Sequence, residues 1–380
     1  MKNYFVWLLG AALIISACDG EEESRNDDCL TTKSSSHGSV VEDRYIISLP
    51  AEEENSGGRK MEKAVALLQA HSLSQERIIN RFTGAHSNYV LNINALEAAE
   101  LAKDPSVLHI EQDKRVSMCA CFTVIEPSLV TWNVDKVGYG DGTGKTAWIL
   151  DTGIDYKHPD LNVDTLMSRS FVPDAATAND ENGHGTHIAG VVGAKNNRIG
   201  TLGVASGARL IGLKVLDNNG DGFVSYVLDA LAYVSKNGKA GEVVNISLGV
   251  EDMSDILDKE VLALAKKGIY IVIAAGNEAE PANKYSPGRT NGTNIYTVSA
   301  VDSLDRFASF SNYGNDVIDY AAPGVRITST YISGKYAIMS GTSQATPHVS
   351  GILLINNGKL NSLAAALNDP DGVGDKIVHQ

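Results

Sequence analysis

Cysteine is scarce: four residues in 380, at Cys18, Cys29, Cys119 and Cys121. Outside the N-terminal apolar run three remain, an odd number that cannot pair fully within the chain. A bond between Cys119 and Cys121 would be strained, and no metal-type quartet exists, so the fold is expected to stand without disulfides. Excess positive charge is also missing. The net charge is −14 and no basic cluster occurs, which argues against nucleic acid as a partner. Proline is sparse at 10 residues against 36 Gly, and 43% of residues are hydrophobic, a globular rather than a disordered composition. Long apolar runs are absent except for Tyr4–Ile15, interrupted by Gly10. That run is too short to span a bilayer comfortably and reads as a signal peptide.

The run closes on Ile15-Ser16-Ala17-Cys18, small residues before a cysteine, similar to a bacterial lipobox. Residues 1–18 are thus expected to be a lipoprotein signal, with Cys18 carrying the lipid. Residues 19–42, which begin with Asp19, Glu21, Glu22, Glu23, Asp27 and Asp28, read as an acidic flexible tether. The product would be exported and held at a membrane or cell surface.

The remaining length suits about two domains at ~150 residues each. In the first, 43–117, Tyr45–Leu49, Ile78–Phe82, Tyr89–Ile93 and Val107–Glu111 read as strands. Met61, Ala64, Val65 and Leu68 share a helical face, and Asn94 three residues before Glu97 signals a capped helix over Ala95–Lys103. The order βαββαβ is the ferredoxin-like α+β arrangement. This domain shows no nucleophile–base pair, so it reads as a binding or regulatory module. Residues 118–130 lack periodicity and are taken as a junction.

From 131 to 380 strands alternate with helices. Thr146–Leu150, Arg209–Leu216, Val243–Leu248, Tyr270–Ala275 and Ile295–Ala300 are near-continuous apolar strands. Val224, Val227, Leu228 and Leu231 mark one helix, and Leu257, Val261, Leu264 and Ala265 another. Such alternation predicts an α/β fold with a mainly parallel sheet covered on both faces. Sites in these sheets gather at the carboxyl ends of strands.

Three chemistry-bearing stretches fall there or at a helix start. Asp151 follows the strand Thr146–Leu150 in Asp-Thr-Gly-Ile-Asp155. His184 opens His-Gly-Thr-His-Ile-Ala-Gly190, and Asn277 closes Ala274-Ala275-Gly276-Asn277. A fourth stretch, Ser340-Gly-Thr-Ser-Gln-Ala-Thr-Pro-His-Val-Ser-Gly351, sets Ser343 among small residues before an apolar run. This places Ser343 near a helix N-terminus, where unpaired N–H groups favour a developing oxyanion. His184 and His187 do not read as zinc ligands, because their spacing is three and residue 185 is Gly. Together Ser343 as nucleophile, His184 as base, Asp151 as its orienting carboxylate and Asn277 as oxyanion donor supply the parts of acyl transfer.

The order Asp…His…Ser, with these local sequences, resembles the subtilisin-like serine proteases, and Phe310-Ser-Asn-Tyr-Gly314 looks closest to the proteinase K branch. The resemblance implies a subtilisin-like three-layer fold over 131–380, preceded by an inhibitor-type propeptide over 43–117. It implies a secreted serine endopeptidase acting on proteins or peptides as a monomer, autoprocessed in the junction, with its propeptide as inhibitor. Ser247, Leu248 and Gly249 match one wall of the primary specificity pocket, and Ala274, Ala275 and Gly276 the other. No acidic residue is evident in either wall, so apolar or aromatic side chains are expected there. Catalysis needs no cofactor. A structural calcium is implied at Asp160, nine residues after Asp151, with Asn197 and carbonyls of Lys195, Ile199 and Thr201. Gln344 stands where the family usually has Met. Asn356-Asn-Gly358 is expected to end the nucleophile's helix, with Leu360–Leu367 as a replacement helix. A different class, a catalytically silent surface lipoprotein that binds peptides, is disfavoured by the intact Asp151, His184, Asn277 and Ser343.

Overall fold

The computed structural model describes residues 39–51, 61–83, 86–117, 121–125 and 129–380. The signal segment with Cys18, nearly all of the acidic tether, Cys29 and Cys119 lie outside the described residues.

The first domain is a sheet of β1 (Val40–Leu49), β2 (Ile78–Thr83), β3 (Ser87–Asn92) and β4 (His109–Ser117), with α1 (Glu62–Ala70) and α2 (Ala95–Leu101). The order β4-β1-β3-β2 is antiparallel throughout, as a βαββαβ chain requires. The Asn94 side chain accepts from the N–H groups of Leu96 and Glu97, and Glu97 accepts from the Asn94 N–H, the reciprocal cap its spacing predicts. Period-two alternation assigns each sheet face its own partner. Ile47, Leu49, Tyr89 and Leu91 pack under α1 and α2 with Leu68 and Leu101. Ile46, Val90 and Phe82 point the other way, into a core shared with Val227 and Leu231 of the second domain.

Asp221–Phe223 of the second domain extends this sheet beside β4. Two β4 carboxylates meet second-domain helix starts. Asp113 accepts from the Ser225 N–H (3.2 Å) and hydroxyl (2.6 Å) in the first turn of Val224–Asn237, and pairs with Arg44 (2.6 Å). Glu111 accepts from the hydroxyl of Ser254, the N-cap of Asp255–Ala265. Negative charge is favourable at such termini, although burial raises the Asp113 pKa against the bonds from Ser225 and Arg44.

The second domain holds a nine-stranded sheet. Its central strands run Ile295–Val301, Tyr270–Ala274, Val243–Ile246, Thr146–Asp151 and Arg209–Lys214, all parallel. Alternate residues again separate two cores. Trp148, Leu150, Val244, Ile246 and Ile271 face Val227, Leu231, Val261 and Leu264. Ala147, Ile149, Val243, Val272 and Val298 face Ile188, Val192, Ala345, Val349 and Ile352. The result is the expected three-layer α/β/α architecture.

Near the C-terminus the structure differs from expectation. Asn361–Ala365 is a strand, not a helix, antiparallel to Lys376–His379 at the sheet edge. Its Leu-Ala-Ala end favours helix, but the open edge of Lys376–His379 offers hydrogen bonds that outweigh a weak local propensity. The helix that carries Ser343 ends at Ile355, before Asn356-Asn-Gly358, as read from the sequence.

Candidate active site

Asp151 is the last residue of its strand and His184 the first of the helix His184–Gly193, and both are fully buried. His184 Nδ1 lies 2.8 and 2.9 Å from the two Asp151 carboxylate oxygens. This fixes Nδ1 as the protonated nitrogen and turns Nε2 into the acceptor. Nε2 is buried and has no hydrogen-bond partner among the described residues. Asp180 anchors the start of this helix, accepting from the N–H groups of Asn182, Gly183 and Thr186.

Ser343 is the second residue of Thr342–Ile355, so its N–H has no partner four residues back. This helix and the one bearing His184 pack against each other in the same core. The Ser343 hydroxyl donates to the Ser247 carbonyl at 3.0 Å. Asn277 follows the strand Tyr270–Ala274, with Gly276 before it at φ +105°, a conformation only glycine adopts without strain. The Asn277 Oδ1 accepts from the N–H (2.8 Å) and hydroxyl (3.0 Å) of Thr342. Holding the carbonyl side of the amide toward Thr342 orients its NH₂ the other way.

A single pocket joins Ser343 and Asn277 to the six residues read as substrate walls, Ser247, Leu248, Gly249, Ala274, Ala275 and Gly276. Its lining also includes Glu278, a carboxylate the sequence reading did not anticipate. Glu278 is one residue beyond the Ala-Ala-Gly-Asn stretch, and only the turn after Gly276 brings it to the rim. Tyr285, Ser286 and Gly288 complete the lining. These too were missed, since nothing in their local sequence carries catalytic chemistry.

His187 and His348 are held by backbone carbonyls rather than by the site. His187 Nε2 faces the carbonyls of Ile327 (3.0 Å) and Ala337 (3.3 Å). Burial first, and the neighbouring His184 second, push its pKa down to about 3. His348 Nδ1 faces the Gln344 carbonyl at 2.9 Å, and burial holds its pKa at about 4. Neither can act as a base at neutral pH with its ring so engaged. Gln344 is fully buried behind the nucleophile.

The residues read as a calcium site stand together. The Lys195 N–H donates to the Asp160 carbonyl (2.8 Å), and the Thr201 N–H donates to the Asp160 carboxylate (3.0 Å). Asn197 Oδ1 accepts from the Ile199 N–H at 3.2 Å. Asp160 Oδ1 and Thr201 Oγ1 are buried with no partner among the described residues, and burial raises the Asp160 pKa. An orphaned carboxylate oxygen among carbonyl and amide oxygens fits a hard cation such as calcium.

Comparisons with known proteins point to one family. The model of the subtilase family matches residues 142–366. A thermophilic serine proteinase of Bacillus sp. (strain AK1) is 41% identical over 233 residues, 60% of this chain and 56% of that protein. A thermostable alkaline protease of Halalkalibacterium halodurans is 36% identical over 302 residues, 74% of this chain and 79% of that protein. The crystal structure of a cold-adapted subtilisin-like serine proteinase superposes with a TM-score of 0.60 at 31% identity, covering 66% of this chain and 98% of that one. With its Asp, His and Ser in family order, and the family model matched across most of the second domain, this chain belongs to the subtilase family.

Proposed function

We propose that the chain is a serine endopeptidase, made as a self-inhibited precursor. The observation that carries this reading is the buried His184 ring. Asp151 orients it through Nδ1, and its Nε2 is unpartnered, on a helix packed against the one that begins at the nucleophile. In the reaction the Ser343 hydroxyl turns from the Ser247 carbonyl to His184 Nε2, gives up its proton and attacks the peptide carbonyl. Asp151 stabilises the resulting imidazolium. The Asn277 amide and the Ser343 N–H stabilise the oxyanion. His184 then protonates the departing amine, and water resolves the acyl-enzyme by the same route. The Ser247–Gly249 and Ala274–Gly276 walls suit an apolar or aromatic side chain before the cut bond, and Glu278 adds tolerance for a cation at the rim.

The first domain acts as the inhibitor. Its packing on the second-domain helices and the two β4 carboxylates at their N-termini support that role. Ser117 pairs with Asp221, while Cys121 pairs with Ser340, three residues before the nucleophile. The Cys121 end of the junction, held this near Ser343, supports self-cleavage within 118–130. A lipid on Cys18 would then anchor the inhibitor, and cleavage would free the protease. Calcium at Asp160, Asn197 and the carbonyls of Lys195, Ile199 and Thr201 would supply charge balance and rigidity only.

Intact mass of the full chain beside Ser343→Ala, with calcium present, tests this. Wild type should yield a fragment starting within 118–130, and the variant should stay full-length and membrane-bound. Two folded proteins of identical size and partitioning would defeat the proposal.

A further inference from the structure

Asn312, in Phe310-Ser-Asn-Tyr-Gly314, is fully buried, and its backbone N–H and all four of its side-chain bonds run to the segment that carries Asn277. Its backbone N–H donates to the Gly276 carbonyl at 3.0 Å. Its Oδ1 accepts from the N–H groups of Glu278 and Glu280, each at 3.0 Å. Its Nδ2 donates to the Ala275 carbonyl (3.0 Å) and to the Glu278 carboxylate (2.8 Å). One amide therefore spends two donor and two acceptor positions, its whole side-chain capacity, on Ala275–Glu280. A Cβ added to Gly276 would fall 2.2 Å from Asn312 Nδ2, so the turn is packed directly onto this side chain.

We propose that Asn312 is a positioning residue for the oxyanion donor Asn277, an inference that rests on the serine-peptidase reading. Two independent clamps fix the Asn277 amide. Thr342 holds its carbonyl oxygen from the nucleophile's helix, and Asn312 holds the backbone on both sides of it. Oxyanion stabilisation depends on a donor already aimed where charge develops, so slack of a fraction of an ångström in this loop should reduce turnover rather than substrate affinity. The same amide fixes the Glu278 carboxylate in the pocket lining, which makes the charge at the rim a fixed feature of the site.

The experiment is a double-mutant cycle in the full-length protein, Asn312→Ala and Asn277→Ala singly and together. It uses a peptide p-nitroanilide with an aromatic residue before the scissile bond. Rates are normalised to processed enzyme titrated with a fluorophosphonate. Asn277→Ala should lower kcat by roughly 10²–10³-fold, the usual loss of an oxyanion donor. Asn312→Ala should lower kcat by a part of that, roughly 10–100-fold, with KM changed less than about 3-fold. Once Asn277 is gone, Asn312 has no donor left to position, so the double variant should match Asn277→Ala. Asn312→Asp, isosteric and still accepting from the Glu278 and Glu280 N–H groups, covers the case in which the alanine does not fold. It should show the same kcat loss. Losses that multiply in the double variant, or an Asn312 variant with unchanged kcat, would overturn the proposal alone. An Asn277→Ala enzyme with wild-type kcat, or a wild type without hydrolysis, would instead remove the reading beneath it.

Discussion

Ser343 and Ser247 exchange hydrogen bonds across the pocket: the Ser343 hydroxyl donates to the Ser247 carbonyl (3.0 Å), and the Ser247 hydroxyl donates to the Ser343 carbonyl (2.9 Å). The second bond exists because Pro347, four residues on, has no N–H to offer that carbonyl. The Asn245 side chain donates in turn to the Ser247 hydroxyl at 2.8 Å. Proline in this helix therefore couples the Ser343 backbone to the segment that follows the strand Val243–Ile246.

Ser247→Ala should reveal that coupling. It leaves the Ser343 carbonyl and the Asn245 amide buried without this partner, each loss worth about 1–3 kcal/mol. Chemical denaturation should show a stability loss of that order, with a several-fold fall in kcat. Unchanged stability would mean that water or a rotated side chain fills the gap.

The sequence made the candidate site legible because each residue proposed as catalytic sits in a short window at a strand end or helix start. Asp151, His184, Asn277 and Ser343 are all of this kind. The five central strands were equally readable, since burial on both faces leaves uninterrupted apolar runs. What stayed hidden depends on folding back from a distance. Glu278 joins the pocket only through the Gly276 turn, Asn312 reaches Ala275–Glu280 from a separate loop, and Asn361–Ala365 becomes a strand because a later segment gives it an edge.

Calcium should raise the unfolding temperature of the wild type. Bound at a hundredfold excess over Kd, a cation selective for the folded state adds about 2.7 kcal/mol. Asp160→Asn removes the buried, unpartnered carboxylate oxygen and should abolish the calcium response while leaving the Thr201 contact possible. A variant still stabilised by calcium would place the ion elsewhere.

Asp375 predicts how stability changes with pH. It is buried beside Ser299, whose hydroxyl donates to it at 2.6 Å. Burial, opposed by Ser299 and reinforced by Asp369, Asp371 and Asp319, pushes its pKa to about 7 from 3.8. The folded chain thus keeps a proton that the unfolded chain releases near 3.8. The stability this contributes is full below pH 3.8 and lost as pH rises to about 7. Asp375→Asn keeps an acceptor for Ser299 and cannot ionise. Its unfolding temperature should exceed that of wild type at pH 8, and the gain should vanish at pH 3.5. A gain that is the same at both pH values would assign the effect to packing.

Lys214 stands opposite Asp151 on the adjacent parallel strand, 1% exposed, with its ammonium donating to the Thr152 carbonyl at 2.7 Å. Burial lowers its pKa, opposed by Asp180, Glu181, Asp217 and Asp151. Lys214→Met removes the donor and leaves the Thr152 carbonyl buried without this bond, a loss of about 1–3 kcal/mol. Chemical denaturation should show a stability loss of that order, and Lys214→Arg, which keeps a cationic donor, should recover part of it. Unchanged stability in Lys214→Met would mean that the Thr152 backbone does not depend on this contact.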